Sequence, residues 1–462
     1  MDAILGFDQD GAPVEPDWPE ADIAIGNPPF LGSQRLRSEL GEEYVDQLFN
    51  LYSDRIPGTS DLCCYWFEKA RAMIEAEHLK RAGLLATQGI RGRGSRTVLD
   101  RTKSSGDIFW AESDREWILE GAAVHVSMVG FDDGDEHTRI LDGQPEAAIN
   151  ADLTPSVDLT SAAVLTHNKD LCFQGPVKVG PFDIPADMAK SMLADQGNPN
   201  GRPNSDVVRP WVNATDLTRR PRGMWIIDFG EKPLEGASGY EQPFEYVRKH
   251  VKPKRDSNRR ERRRVRWWQH GETVPGLRMA LVPLSRFVAT PRVAKHRVFV
   301  WLDRETLPDT AVVAFAREDD YFFGVLHSKI HELWALRQGT QLEDRPRYTP
   351  TTCFETFPLP WPPGEEPVDD PRVQAIAAAA VDLVTKRDRW LNPEGASEAE
   401  LKKRTLTNLY NQRPTWLDLA HQRLDEAVLD AYGWPHTLTD DQILEHLLAL
   451  NLERAQKEEE VR

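Results

Sequence analysis

The distribution of apolar residues predicts an α/β arrangement in the first third of the chain. Apolar runs at Ala21–Gly26, Ala82–Thr87 and Gly121–Phe131 have the length and composition of buried strands. Residues 35–51 are partly helical in pattern, and residues 60–79 read as an amphipathic helix with Ser60 as its N-cap. Strands alternating with helices in this way favour a βαβ sheet.

The remainder of the chain predicts three further segments. Residues 134–205, rich in Asp, Pro and Gly, are interpreted mainly as a connector. Short β-like runs with turn residues follow at Trp225–Gly230, Ala280–Val282, Val298–Trp301 and Ala311–Phe315. After the stiff linker Pro358–Gly364, strong helices are predicted at Val373–Trp390 and after the capping box Thr439–Gln442. We therefore expect domains at 1–165, 206–362 and 363–462, with 166–205 as the connector.

The first predicted strand ends in the tetrapeptide Asn27-Pro28-Pro29-Phe30. Two prolines fix φ and remove two N–H donors, so neither a helix nor a central strand continues through them. The side chain of Asn27 is then presented at the end of a strand, where open α/β sheets bind ligands. Its amide offers an acceptor and two donors, and Phe30 offers a flat face. Together they suit an extruded nucleobase; the alternative is a purely structural turn.

Composition excludes several classes of protein. The 462 residues are 40% hydrophobic and 28% charged, as in ordinary soluble proteins, and no apolar run is long enough to span a bilayer. Residues 1–4 show no signal-peptide pattern. Four cysteines without a Cys-x-x-Cys pair give neither a disulfide framework nor a zinc site, so we predict a cytoplasmic protein without a metal.

The net charge of −17 is unevenly distributed along the chain. Residues 1–166 carry 14 Lys and Arg against 30 Asp and Glu, residues 167–362 carry 31 against 24, and residues 363–462 carry 12 against 20. Eleven cations fall within residues 248–266, followed by Trp267 and Trp268. Such a run is either a solvated helix face or a phosphate-contacting surface, and its spread around all sides of a helix favours phosphate. The candidate DNA contacts are Lys252, Lys254, Arg255, Arg259, Arg260, Arg263, Arg264 and Arg266.

The Asn27–Phe30 tetrapeptide resembles the catalytic motif of amino-group DNA methyltransferases, where Asn-Pro-Pro-aromatic usually accompanies adenine. The resemblance implies that Asn27 and Pro28 hold the target amine and that Phe30 stacks on the flipped base. In that family the amine attacks the methyl group of S-adenosylmethionine directly. The resemblance further implies that Asn27, Asp61 and Tyr65 border the cofactor.

Further blocks resemble the target-recognition domain of MmeI-like (type IIG/IIL) restriction–modification enzymes. They are Trp211–Leu217, Trp225–Gly230, Tyr321–Ser328, Arg347–Pro350 and Phe357–Pro360, in family order and at family spacing. The resemblance runs from about residue 20 to the C-terminus. It implies a partial class I methyltransferase (Rossmann-like) sheet, then a mixed α+β target-recognition domain and a helical C-terminal region. The resemblance also implies that the chain binds double-stranded DNA and that it belongs to a restriction–modification or phage-defence system.

One expected part of the family pattern has no counterpart. The glycine-rich turn that holds the methionine part of the cofactor should precede Asn27, and too few residues precede it for three strands and their crossovers. Gly89–Gly94 lacks the required spacing and acidic partner, so we reject it as a replacement. Arg91, Arg93 and Arg96 in this loop either contact phosphate or are solvated charge.

We therefore expect the cofactor-binding and nuclease parts to lie on another chain or to be lost. Two alternatives to a methyltransferase remain open. One is a non-catalytic DNA-binding specificity module that retains Asn27 as a relic. The other is an α/β protein with a fortuitous Asn-Pro-Pro-Phe turn.

Overall fold

The computed structural model describes residues 3–92, 94–119, 122–155, 159–195, 197–342 and 345–460. The chain divides into two units, Met1–Asp158 and Leu159–Arg462. None of the helices in the described ranges combines the length and apolar character needed to cross a membrane.

The first unit is a mixed sheet with helices between its strands. Its strands are β1 (Gly6–Phe7), β2 (Pro13–Val14), β3 (Ala21–Gly26), β4 (Leu79–Thr87), β5 (Asp107–Leu119), β6 (Ala122–Asp132), β7 (Arg139–Leu141) and β8 (Gln144–Glu146). Its helices are α1 (Leu36–Leu40), α2 (Glu42–Leu51), α3 (Cys64–Glu75) and α4 (Thr97–Ser105), with 3₁₀ turns at Ser33–Arg35 and Gln88–Arg91.

Six strands form the main sheet in the order β3-β4-β6-β5-β7-β8. β3 runs parallel to β4, with Ile23 opposite Arg81, and β4 runs antiparallel to β6. The three strands predicted from apolar runs are confirmed, although Gly121 itself lies outside the described residues. The strand β5 was not predicted, because its polar and charged residues interrupt the apolar pattern.

The amphipathic helix predicted for residues 60–79 is shorter than expected. It begins at Cys64 and ends at Glu75, and Leu79 already starts β4. Ser60 is not its N-cap, because the Ser60 hydroxyl donates to the carbonyl of Gly94 instead. The apolar face that the pattern indicated is nevertheless buried in the core of this unit.

The second unit contains two four-stranded sheets and many helices. Its strands are β9 (Cys172–Gln174), β10 (Asp183–Ile184), β11 (Val208–Val212), β12 (Trp225–Ile227), β13 (Arg286–Pro291), β14 (Val300–Asp303), β15 (Leu307–Pro308), β16 (Val312–Phe315), β17 (Thr340–Leu342) and β18 (Arg345–Arg347). Its first helices are α5 (Ala186–Ala194), α6 (Ala214–Thr218), α7 (Leu234–Ser238), α8 (Glu241–His250), α9 (Lys252–Asp256), α10 (Glu261–Val265), α11 (Pro275–Leu281), α12 (Asp320–His327) and α13 (Lys329–Gln338). A π-helix spans Pro350–Phe354, and 3₁₀ turns lie at Leu159–Ser161, Thr166–Asn168 and Asn204–Asp206.

The two four-stranded sheets have the orders β10-β12-β11-β15 and β14-β13-β16-β9, and β17 pairs with β18 in a separate two-stranded sheet. Residues 166–205, predicted as a connector, contribute β9 to one sheet and β10 to the other. The prediction of a strand at Ala280–Val282 is wrong. These residues end α11, which Pro275 starts at a position where its missing N–H is harmless.

The chain ends in five helices, α14 (Pro371–Leu391), α15 (Glu398–Lys403), α16 (Leu406–Gln412), α17 (Thr415–Tyr432) and α18 (Asp440–Glu460). The capping box before α18 is confirmed, because Gln442 N donates to Thr439 Oγ1 at 3.3 Å and Thr439 N donates to the Gln442 side chain at 2.9 Å. α12 and α14 approach closely at Gly324, where a Cβ would lie 2.6 Å from Ile376 Cγ2. The predicted fold class, an α/β sheet followed by mixed sheets and a helical C-terminal region, is confirmed.

Candidate functional site

The Asn27 side chain lies at the carboxyl end of β3, directly after Gly26. It is exposed, and no described residue hydrogen-bonds to its amide. Pro28 is buried and fixes the turn, Phe30 is half-buried, and Pro29 is exposed. The motif thus combines an anchored backbone with an amide whose donors and acceptor are open to a ligand.

Asp61 connects the turn after this motif to the end of the neighbouring strand. Its Oδ1 accepts from the backbone N–H of Ser33 at 3.1 Å, and its Oδ2 accepts from the Thr87 hydroxyl at 3.3 Å. The backbone N–H of Asp61 donates to the Ser95 hydroxyl at 3.0 Å. Both carboxylate oxygens of Asp61 therefore accept hydrogen bonds from within the protein. Through these bonds, Asp61 links the segment that follows β3 to the carboxyl end of β4.

Tyr65, the third predicted cofactor contact, is a core residue. Its ring packs edge-on against Tyr52 with centroids 5.0 Å apart, and the side chain is fully buried. Burial raises the pKa of Tyr65, and its hydroxyl has no hydrogen-bond partner among the described residues. A side chain enclosed in this way presents no surface to a cofactor. We therefore reassign Tyr65 from the cofactor site to the core.

The loop after β4 does not present a row of free arginines. Arg91 donates through Nε to the carbonyl of Asp152 at 2.8 Å, and Arg96 lies near Asp100 with its Nε buried. Arg93 lies outside the described residues. Within the described ranges, no group of three or more His, Cys, Asp and Glu side chains is arranged to hold a metal ion.

The basic segment consists of the end of α8 followed by two short helices, α9 and α10, rather than the single helix that its pattern suggested. The turn between them is held by Asn258, whose side chain accepts from Arg260 N at 3.0 Å. Between Lys252 and Arg266, five exposed cations have no side-chain hydrogen bond or ion pair to any described residue. We call them the cation cluster: Lys254, Arg259, Arg260, Arg262 and Arg266.

Three further members of the predicted DNA-contacting set are engaged within the protein. Lys252 forms an ion pair with Asp256 at 3.1 Å, and Arg263 lies 3.9 Å from Glu272. Arg264 donates to the carbonyl of Asn258 at 3.3 Å while remaining exposed. These three remain candidate phosphate contacts, with part of their charge already balanced or directed inward.

Arg255 is a correction to the predicted set. It is 1% exposed, and its guanidinium donates to backbone carbonyls of Lys178, Val179, Arg263 and Gln269 at 2.6–3.2 Å. Burial, with the charge of Arg263 nearby, lowers the pKa of Arg255 to about 10. A buried cation cannot reach a phosphate, so Arg255 anchors the segment and leaves the cation cluster to face outward.

The two tryptophans after the segment are also structural. Trp268 is buried and donates through Nε1 to the carbonyl of Lys232 at 3.0 Å. Trp267 is half-buried and packs on Phe244 with ring centroids 5.4 Å apart. Neither ring is free to stack on a base in this arrangement.

A second cationic feature was missed in the sequence. A cleft of about 320 Å³ is lined by cations from three separate segments, Arg219, Lys295 and Arg345, together with His296. Lys295 Nζ and His296 Nε2 both contact Asn411 Oδ1 at 2.9 Å. Since these residues are distant in sequence, only the fold brings them together, and no local charge run could have indicated the cleft.

Residues 196–361 match the family model described as "MmeI, target recognition domain". This segment belongs to that domain family. The resemblance predicted from the blocks between Trp211 and Pro360 is therefore confirmed. Both the cation cluster and part of the cleft lie within this target recognition domain.

Two known proteins also resemble this chain. The structure of the type IIL restriction-modification enzyme MmeI in complex with DNA superposes with a TM-score of 0.73 at 20% identity, covering 94% of this chain and 57% of that chain. DNA methyltransferase A of Bacillus subtilis (strain 168) is 26% identical over 155 residues, which are 33% of this chain and 16% of that protein. The first likeness shows the fold, and the second relates the chain to DNA methyltransferases. The chain thus spans little more than half of MmeI and a small part of the Bacillus protein.

Proposed function

We propose that this chain is the amine-binding and target-recognising part of a DNA methyltransferase of a restriction–modification or phage-defence system, which methylates the exocyclic amine of adenine in duplex DNA. The observation that carries the proposal is the free, exposed Asn27 amide at the carboxyl end of β3, on a chain that also contains a target recognition domain. The solved MmeI structure is a complex with DNA, which supports duplex DNA as the partner.

In this proposal the first unit's own residues position the base. The Asn27 carbonyl oxygen accepts from the adenine amine, the Pro28 carbonyl accepts its second hydrogen, and Phe30 covers one face of the flipped ring. Asp61 keeps the turn after Phe30 in place through Ser33. Holding two reactants in line lowers a barrier by about 7–11 kcal/mol, so no strong acid or base is required.

S-adenosylmethionine, which supplies an electrophilic methyl group when bound, is only partly provided for by the described residues. Of the three predicted contacts, Asn27 has a free side chain, Asp61 uses both carboxylate oxygens internally, and Tyr65 is buried. These residues alone do not form a complete cofactor site. We therefore propose that the remaining contacts come from a cofactor-binding part outside the described residues.

The same observation gives weight to a second candidate function. Without a complete cofactor site, the chain is a non-catalytic DNA-binding specificity module, whose cation cluster and cleft serve recognition alone. In that case Asn27 has no role in any reaction, and only the second unit's charges affect function.

The Asn27→Ala substitution separates the two functions. In complexes isolated with their native partners, we expect transfer of tritiated methyl groups to adenine to fall at least about 100-fold, because misplacement of the amine by ~1 Å has that effect. Duplex affinity should stay within twofold, since Asn27 lies outside the recognition domain. Equal loss of methylation and duplex affinity would overturn the catalytic role, and unchanged methylation would show that Asn27 does not hold the amine.

A further inference from the structure

Arg387 is a buried cation of α14 whose charge no described residue neutralises. Its side chain is 2% exposed, and no described carboxylate forms an ion pair with it. Its Nη1 donates to the carbonyl of Phe299 at 2.9 Å, whereas its Nε has no hydrogen-bond partner among the described residues. Removing an unpaired charge and an unused donor from water is costly. The guanidinium therefore indicates a binding site for an anion.

The groups that surround Arg387 do not supply the missing negative charge. Arg255, which is also buried without a carboxylate, donates to four backbone carbonyls, whereas the Nε of Arg387 has no such acceptor. Burial, with the charges of nearby cations that include Arg387, lowers the pKa of His327 and of His421. Burial also raises the pKa of Tyr410. Both imidazoles and the phenol are therefore neutral at pH 7 and leave the charge of Arg387 uncompensated.

A cavity of about 110 Å³ lies against Arg387. One face of α14 lines it at helical spacing, with Val384, Arg387, Asp388 and Leu391. β14 and α16 close it with apolar side chains, among them Trp301 and Leu406. Asp388 is exposed, which leaves the cavity an opening to solvent. The cavity thus combines apolar walls with a guanidinium that lacks a counter-ion.

The chemistry and size of the cavity select the class of anion. A guanidinium presents its N–H donors in a planar fork that matches a carboxylate. Arg387 is the single cation among the described residues that line the cavity, so a phosphate dianion would keep an excess of negative charge. A cavity of about 150 Å³ accepts benzene, and the smaller cavity beside Arg387 therefore excludes an aromatic acid. A short aliphatic monocarboxylate satisfies these limits.

We propose that this cavity binds a small aliphatic monocarboxylate, of the size of acetate or propionate, which accepts from the Nε of Arg387 and packs its carbon atoms on Trp301 and Leu406. The cavity lies between β14, within the target recognition domain, and two helices that follow this domain. By neutralising Arg387, the anion stabilises the packing of α14 and α16 on β14. The inference is independent of the proposed function, because it involves neither Asn27 nor the cation cluster.

The test measures the binding of sodium acetate to the purified chain by isothermal titration calorimetry, in a carboxylate-free buffer at constant ionic strength. Val384→Phe fills the cavity and keeps the guanidinium, whereas Arg387→Gln removes the charge. Arg389→Gln is the matched control, because Arg389 is an exposed arginine of the same helix. Asp388→Asn removes a negative charge at the opening of the cavity. Circular dichroism establishes that each variant is folded.

We expect one acetate to bind per wild-type chain, with a dissociation constant on the order of 1 mM, as suits so small a ligand. Acetate should also raise the melting temperature, and chloride at the same concentration should not. Val384→Phe and Arg387→Gln should bind acetate at least about tenfold more weakly, and Arg389→Gln should bind it as the wild type does. Asp388→Asn should bind it at least about twofold more tightly, because a repulsive charge is removed.

Several results would overturn the inference. Absence of saturable acetate binding would show that water alone occupies the cavity. Unchanged binding by Val384→Phe, or an equal loss in Arg389→Gln, would place the acetate elsewhere. Tighter binding of phosphate or benzoate than of acetate would contradict the class of anion. Because Val384→Phe retains Arg387, its result decides the inference even if Arg387→Gln does not fold.

Discussion

The cation cluster makes a quantitative prediction about duplex binding. Its five side chains are exposed and without a carboxylate partner among the described residues, so each is free to neutralise one phosphate. Every phosphate contact adds about −0.9 to the slope of log affinity against log salt. If all five make contact, the slope is about −4.5, and affinity falls about 500-fold between 50 and 200 mM salt.

The perturbation is the substitution of Arg260 by glutamine, alone and together with Arg259→Gln. Glutamine retains a polar side chain while removing the charge, and both sites are exposed, so folding should be unaffected. We expect the slope to become shallower by about 0.9 for Arg260→Gln and by about 1.8 for the pair. The control is Lys402→Gln, an exposed cation in α15 outside the cluster, which should leave the slope unchanged.

Fluorescence anisotropy with a labelled duplex, titrated at several salt concentrations between 50 and 200 mM, measures these slopes. Phosphate contacts position the protein without reading bases, so the loss should be the same for duplexes of different sequence. A wild-type slope near zero would refute the assignment of the cluster to DNA. A slope that Lys402→Gln and Arg260→Gln reduce equally would show that net charge, and not this surface, determines binding.

Two further predictions concern groups buried in the second unit. Arg255→Met should lower the free energy of unfolding by about 2–4 kcal/mol in urea titrations, because it leaves backbone carbonyls without donors. The exposed control Arg260→Gln should change the free energy of unfolding by less than about 0.5 kcal/mol. Equal effects of the two substitutions would contradict the anchoring role of Arg255. Burial, with nearby Arg413 and Arg387, lowers the pKa of His421 to about 4. Since this folded value lies below the unfolded value of about 6.5, stability is fully present above pH 6.5 and is lost progressively as the pH falls toward 4. In urea titrations, His421→Gln should reduce the difference in the free energy of unfolding between pH 7 and pH 4 by about 3 kcal/mol. An unchanged difference would refute the conclusion that His421 is buried in its neutral form.

Much of the first unit could be predicted because its chemistry is local in sequence. An apolar run followed by Asn27-Pro28-Pro29-Phe30 marks a strand end whatever the rest of the chain does. Asp61 was predicted to border a cofactor, and the structure adds that its carboxylate accepts hydrogen bonds from Ser33 and Thr87. Those partners are 28 and 26 residues away, and no spacing rule connects them.

The basic segment shows that composition does not predict which of its cations are exposed. Counting charges treats Arg255 and Arg260 alike, yet one is buried among carbonyls and the other is exposed. The burial of Arg255 depends on Lys178 and Val179, which precede it by 77 and 76 residues. The cleft around Lys295 was missed for the same reason, because its cations meet only after folding.

The central claim is that this chain binds the target amine and contains the recognition domain, but that its described residues do not form a complete cofactor site. It is tested most directly by equilibrium binding of labelled S-adenosylmethionine to the purified chain, with and without duplex DNA. We predict no saturable cofactor binding in either condition, together with duplex binding that weakens steeply with salt. Stoichiometric cofactor binding by the chain alone would contradict the account and would show that the described residues form a complete methyltransferase site.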